Sequence, residues 1–227
     1  FLHLRSERSL PAYHYLRRFN GKVFLGAFGT DYYYIRACME TDTYRYSDFK
    51  TGNCYRDTDF NKMTLQDWYY GGAAHATRTI AESCNGIMAC LWEYYVAYQL
   101  LFPEKTAFVP LPINLHKIVS RIRTVPEILN FFIGIQNFKD TVKGTDVMLP
   151  VLQEVQRKHP DLCRITEVHD VPYARYQQLM DDADVQLDQL YSYTPSMNSL
   201  LAMAKGVTVV GLSLIHISEP TRQAEIS

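Results

Sequence analysis

Asp184 to Gly211 reads DVQLDQLYSYTPSMNSLLAMAKGVTVVG. Its residue types run in the order of a short strand, a polar turn, a capped helix and a second strand. Thr194 followed by Pro195 has the form of an N-cap with proline at the first helical position, where the missing N–H removes no bond. That spacing predicts a helix from Thr194, with Leu200, Leu201, Met203 and Ala204 on its buried face and Gly206 as a left-handed stop. Val207, Val209 and Val210 read as a strand buried on both faces. Such a unit belongs to a parallel sheet. Its loop lies at the carboxyl end of a strand, where open α/β sheets bind ligands, and free N–H groups at the helix start favour an anion such as a diphosphate. The same pattern occurs in α/β units that bind nothing, so it does not by itself fix a function.

Upstream, Leu162 to Val168 reads as a strand and Pro172 to Asp182 as a helix, with His169 and Asp170 in the turn between them. Before these come a strand at Asn130 to Ile135, a polar turn, and Lys143-Gly144 ahead of a helix capped by Thr145 or Asp146. Val147, Val151, Leu152 and Val155 recur there at helical spacing. Two successive crossover units put Gln136, Lys143 and Thr194 to Asn198 around one cleft at one sheet edge. Lys143 there is either a point charge for a phosphate, with Gly144 permitting close backbone approach, or a solvated surface lysine.

The first half shows the same alternation. A helix at Leu10 to Phe19 precedes a strand at Lys22 to Phe28, which opens into Gly29-Thr30-Asp31. Asp31 is either a functional carboxylate or an Asx-turn residue satisfying nearby N–H groups. Arg36 to Asn61 is polar and without periodicity, and reads as a long acceptor-side loop. Thr64 to Asp67 has the form of a capping box for a helix reaching Ser83, with a break or close packing at Gly71-Gly72. His75 on this helix reads as an ordinary solvated histidine. Ile87 to Leu91, Trp92 to Phe102 and Ala107 to Pro110 give strand, helix and strand. The irregular stretch from Asn114 to Val125, basic through Lys117, Arg121 and Arg123, reads as an interdomain connection. The expected layout is one α/β domain over 1–112, a linker over 113–129 and a second α/β domain over 130–211.

A formal net charge of −1, from 23 basic and 24 acidic residues, gives no case for nucleic acid or for an anionic membrane. The five cysteines are odd in number and lack metal spacing, which suits reduced residues of a cytoplasmic protein. Leu212 to Arg222, LSLIHISEPTR, reads as a translated sequencing adapter. The segment 212–227 is therefore treated as an artefactual tail, and the chain, which begins with Phe1, as an interior fragment of a longer protein.

Gly29-Thr30-Asp31 after its strand, the Lys143-Gly144 turn and the Ala-Met-Ala-Lys-Gly run at 202–206 together resemble the GT-B glycosyltransferases, in particular family 4 bacterial enzymes of surface-polysaccharide synthesis. The resemblance covers Lys22 to Gly211. It implies two doubly wound parallel-sheet domains facing a cleft, both incomplete here. It further implies transfer of a hexose from a nucleotide diphosphate sugar to a glycan or lipid-linked acceptor, with retention of configuration, no metal, and no cofactor beyond the donor. The family's histidine near the transferred sugar is Phe28 here, so the catalytic role falls to Asp31, with Thr30 or backbone amides as alternatives. Gly29, Thr30, Gln136, Lys143, Gly144, Thr194, Ser196, Met197 and Asn198 take nucleotide-sugar positions. A cytoplasmic site of action follows, with association at the inner membrane face left open to segments beyond this chain. Four positions depart from the family pattern: Phe28 replaces a histidine, Gln136 a basic residue, and Tyr193 and Leu201 two glutamates. Asn198, or Asp188 and Gln189, then stand as substitute ribose partners, Asn198 alternatively as a loop residue. Two other readings fit: a degenerate GT-B protein that binds without transfer, and a sugar-nucleotide epimerase on the same fold, whose acidic and histidine groups have no clear place here.

Overall fold

The computed structural model describes residues 7–120, 124 and 126–211. The adapter-like tail 212–227 and Arg121 and Arg123 of the expected linker lie outside these. The chain divides into two compact units, Phe1–Leu111 and Pro112–Ser227. Each is α/β with a parallel sheet, as the alternation of strand and helix patterns predicts.

In the first unit α1 (Ser9–Phe19) leads into β1 (Phe24–Ala27) and α2 (Tyr32–Glu40). A small antiparallel hairpin, β2 (Lys50–Thr51) and β3 (Cys54–Tyr55), precedes α3 (Asp59–Trp68), α4 (Gly72–Ser83), β4 (Gly86–Ala89), α5 (Trp92–Gln99) and β5 (Thr106–Phe108). The main sheet has the order β1-β4-β5, all parallel, with Leu25 opposite Ile87 and Ile87 opposite Thr106. Leu25, Ala27, Ile87 and Ala89 from the sheet meet Ile80, Ala81 and Tyr98 from the helices to form the core.

Three expectations for this unit are corrected. Arg36 to Glu40 of the expected loop continue a helix that opens at Tyr32, because the Asp31 side chain accepts from the Tyr33 and Tyr34 N–H groups and caps it. The apparent box at Thr64 lies inside α3. Thr58 is its N-cap, accepting from Asn61 N at 3.1 Å, while the Thr64 hydroxyl donates back to the Phe60 carbonyl. The stretch between α2 and α3 is packed rather than open, with Tyr44 and Phe49 fully buried. Gly71 marks a real break: a Cβ there would stand 2.5 Å from the Gln66 carbonyl oxygen.

The second unit comprises β6 (Leu129–Ile135), α6 (Asp140–Lys143), α7 (Thr145–Lys158), β7 (Cys163–His169), α8 (Tyr173–Asp181), β8 (Val185–Leu187), α9 (Met197–Ala204) and β9 (Thr208–Val210). Its sheet is parallel, in the order β7-β6-β8-β9. Successive connections therefore leave in opposite directions on either side of the β6/β8 pair. That pair is the switch point of the sheet, where a crevice opens at the carboxyl ends of the strands. Phe132, Val168, Met180, Ala183, Leu201, Ala202 and Val207 form the core beneath it. The lysine of the Ala-Met-Ala-Lys-Gly run is structural. Lys205 Nζ reaches Asp181 at 2.6 Å and the Gln177 carbonyl at 3.1 Å, pinning the end of α9 to α8 before Gly206 reverses the chain at φ 80°.

Here too the sequence reading needs correction. α9 begins at Met197, and its cap is Ser196, not Thr194. Pro195 thus precedes the cap instead of following it. Two candidate hydroxyls lie within three residues, and the one that also finds a carboxylate partner in Asp188 closes the helix. β9 is an edge strand among the described residues, so Val210 is half exposed rather than buried on both faces. On α7 only Leu152 of the apolar stripe is buried, and Val147, Val151 and Val155 face outward.

Candidate functional site

The crevice of the second unit begins with a glycine. Gly134 near the end of β6 lies under the Tyr176 ring, whose hydroxyl would stand 2.8 Å from any Cβ added there. Tyr176 is held edge-on against Phe132 with ring centroids 5.0 Å apart. Only a residue without a side chain lets the tyrosine lean over the strand end. Burial, and secondarily the charge of Asp188, raise the Tyr176 hydroxyl to a pKa of about 12. It is a firm hydrogen-bond donor at neutral pH.

Lys143 enters from the α6–α7 turn. Gly144 follows it in the left-handed region at φ 77°, and a Cβ there would lie 2.6 Å from Leu190 Cβ. The turn is fixed from the other side by the Leu190 N–H, which donates to the Lys143 carbonyl at 2.7 Å. The loop after β8 and the lysine turn are therefore one assembly, and glycine is required at their contact. The Lys143 ammonium lines two adjoining spaces, a recess of about 20 Å³ toward β8 and a cavity of about 240 Å³ toward β7. Desolvation and the nearby Lys139 pull its pKa below the ordinary lysine value, while Asp188 pulls the other way. A cation held in this way gains from an incoming anion.

The opposite wall carries acceptors. Asp188 continues the β8 ladder through its N–H to the Val210 carbonyl, and its carboxylate accepts from Ser196 N at 3.0 Å and from Ser196 Oγ at 2.9 Å. Ser196 Oγ in turn accepts from Ser199 N. The start of α9, expected as an open anion site, thus holds a carboxylate and a hydroxyl of its own. Gln186, fully buried in the middle of β8, lines the recess beside Asp188, and Asn198 borders both spaces.

Of the expected site residues in this unit, Gln136, Lys143, Ser196 and Asn198 are brought together around the crevice. Gly144 acts behind Lys143 as the turn that aims it. Thr194 and Met197 are not on the crevice wall, and Met197 is exposed. Tyr193 and Leu201, at the two glutamate positions of the resemblance, are buried, Leu201 in the core. Gly134, Tyr176 and Gln186 were missed. The available signals were a glycine inside the apolar run Phe131-Phe132-Ile133-Gly134-Ile135 and a glutamine inside an otherwise apolar strand.

No family model matches this chain, and no curated protein does. Among solved structures, one similar chain is a point mutant of S. aureus TarM in complex with fondaparinux, alpha-GlcNAc-glycerol and UDP. The likeness has 10% identity and a TM-score of 0.49 over 74% of this chain. The chain spans 34% of that structure's length.

Gly29, Thr30 and Asp31 belong to the first unit. Asp31 is buried and fully engaged. Its Oδ1 accepts from Tyr33 N at 3.0 Å and Tyr34 N at 3.2 Å, and its Oδ2 from the Tyr98 hydroxyl at 2.7 Å. Burial nonetheless lifts its pKa to about 6, against the pull of those donors. The arrangement is that of a helix cap inside a tyrosine cluster. Phe28 at the strand end is half exposed, its ring folded over Gly26. Among the described residues no group of three or more His, Cys, Asp or Glu side chains is placed to hold a metal, and no helix is long and apolar enough to cross a membrane.

Proposed function

We propose that this chain is part of a glycosyltransferase that moves a hexose from a nucleotide diphosphate sugar to a hydroxyl of a glycan or lipid-linked acceptor. The observation that carries the reading is the partly desolvated Lys143 ammonium lining a crevice at the switch point of a parallel sheet. The cavity, about 240 Å³, carries Gln136, Lys143 and Asn198 on its lining, which suits a diphosphate with its attached sugar. In the reaction the bond from the anomeric carbon to the diphosphate oxygen breaks. The acceptor oxygen bonds that carbon and passes its proton to the departing diphosphate, with retention of configuration. Lys143 meets the charge of the departing diphosphate, so no metal is required and no cofactor beyond the donor. The site of action is cytoplasmic, at the inner membrane face where the acceptor is lipid-linked.

A second reading is binding without transfer. It is favoured by the acidic cap at α9 and by the burial of Tyr193 and Leu201, which leaves no carboxylate at either glutamate position. Incubation with UDP- and GDP-sugars separates the two. Release of UDP or GDP that disappears in Lys143→Ala supports transfer or hydrolysis, and tight binding without release supports the second reading. Neither binding nor release defeats both.

A further inference from the structure

Gln186 is out of place for a structural residue. It is 2% exposed in the middle of β8, between Val185 and Leu187, and its amide oxygen is buried without a hydrogen-bond partner. A buried acceptor left unpaired costs stability, and an aliphatic side chain would fill a strand interior without that cost. Gln186 also lines the recess together with Lys143, Tyr176 and Asp188.

We propose that Gln186 is a specificity-determining residue whose amide turns its oxygen into this recess to accept a hydrogen bond from a ligand hydroxyl seated there. Three features select that chemistry. An amide oxygen only accepts, so it repels a phosphate oxygen and requires an O–H or N–H. The recess, about 20 Å³, admits one water-sized group and not a ring. Asp188 stands two residues further along the same extended chain, on the same side, and adds a second acceptor to the same wall. Lys143 supplies the opposite polarity at the mouth. A ligand that carries a hydroxyl a few bonds from a phosphate satisfies both poles. This deepens the nucleotide-sugar reading and rests on it. The hydroxyl belongs either to the ribose or to the hexose, and the experiment separates the two sources.

The test is calorimetric titration of the purified chain and its Gln186→Leu variant with UDP, 2′-deoxy-UDP and UDP-glucose, and with the guanosine series in parallel. The wild type should bind the hydroxyl-bearing ligand roughly tenfold more tightly than the variant does. A loss already present with UDP and absent with 2′-deoxy-UDP assigns the ribose. A loss confined to UDP-glucose assigns the hexose. The variant should also melt about 2–4 °C higher, since its strand no longer buries an unpaired oxygen. Gln186→Met, closer in shape, replaces the leucine variant if that one does not fold. Equal affinities of wild type and variant for every ligand would mean that the amide serves only an ordered water, and the inference would fail while nucleotide binding stood. If the wild type binds none of the series, the proposed function falls and this inference with it.

Discussion

Replacing Asp31 by asparagine keeps the shape of the α2 cap and removes only the charge. Asparagine can still accept from Tyr33 N and Tyr34 N, while its amide faces the Tyr98 hydroxyl. In the folded protein the Asp31 pKa rises from 3.8 to about 6, chiefly by desolvation. A raised carboxyl pKa means that the folded state holds the proton more tightly than the unfolded chain. Its contribution is fully present below pH ~4 and is lost as pH rises through ~6. At ~1.4 kcal/mol per unit, two units correspond to about 3 kcal/mol. Both tryptophans, Trp68 and Trp92, lie in the first unit, so their fluorescence during urea unfolding reports on the unit that contains Asp31. The stability of Asp31→Asn relative to wild type should therefore increase by about 2–3 kcal/mol between pH 4 and pH 7. Asp48, also lifted to about 6 by burial, titrates in both proteins and cancels in the difference. Parallel pH profiles for the two proteins would refute the account of Asp31 as a desolvated cap.

Two further changes probe the second unit. Gly144→Ala places a Cβ 2.6 Å from Leu190 Cβ at a φ of 77°; it should lower stability by roughly 1–3 kcal/mol and weaken nucleotide binding by displacing Lys143, as read by thermal unfolding and calorimetry. Ser196→Ala removes the α9 cap and a hydrogen bond to Asp188, and should cost about 1–2 kcal/mol in urea unfolding monitored by circular dichroism.

Much of the architecture was readable from apolar runs. The Val-Phe-Leu and Asn-Phe-Phe-Ile strands, with helical spacing between them, fix two parallel α/β units. Helix starts were harder, because each depends on which of several nearby hydroxyl or carboxyl groups faces the chain end. Thr58 prevails over Thr64 by accepting from Asn61 N in its own first turn, and Ser196 over Thr194 with its hydroxyl on Asp188 at the end of β8. The helix after Asp31 was hidden because tyrosines are weak helix formers, and here burial of Tyr33 and Tyr34 compensates. In the crevice, Lys143 and Gln136 were legible from their turn. Tyr176 and Gln186 were not, since one reaches the site from the body of a helix and the other from within a strand.

The most direct measurement is the affinity of UDP and GDP for the wild-type chain and for Lys143→Met, whose side chain keeps the aliphatic length without the ammonium. Loss of a charge-assisted contact in a partly desolvated site predicts a fall of roughly 10- to 100-fold, with wild-type binding weakened by added salt. Equal affinity in the two proteins, unaffected by salt, would contradict it.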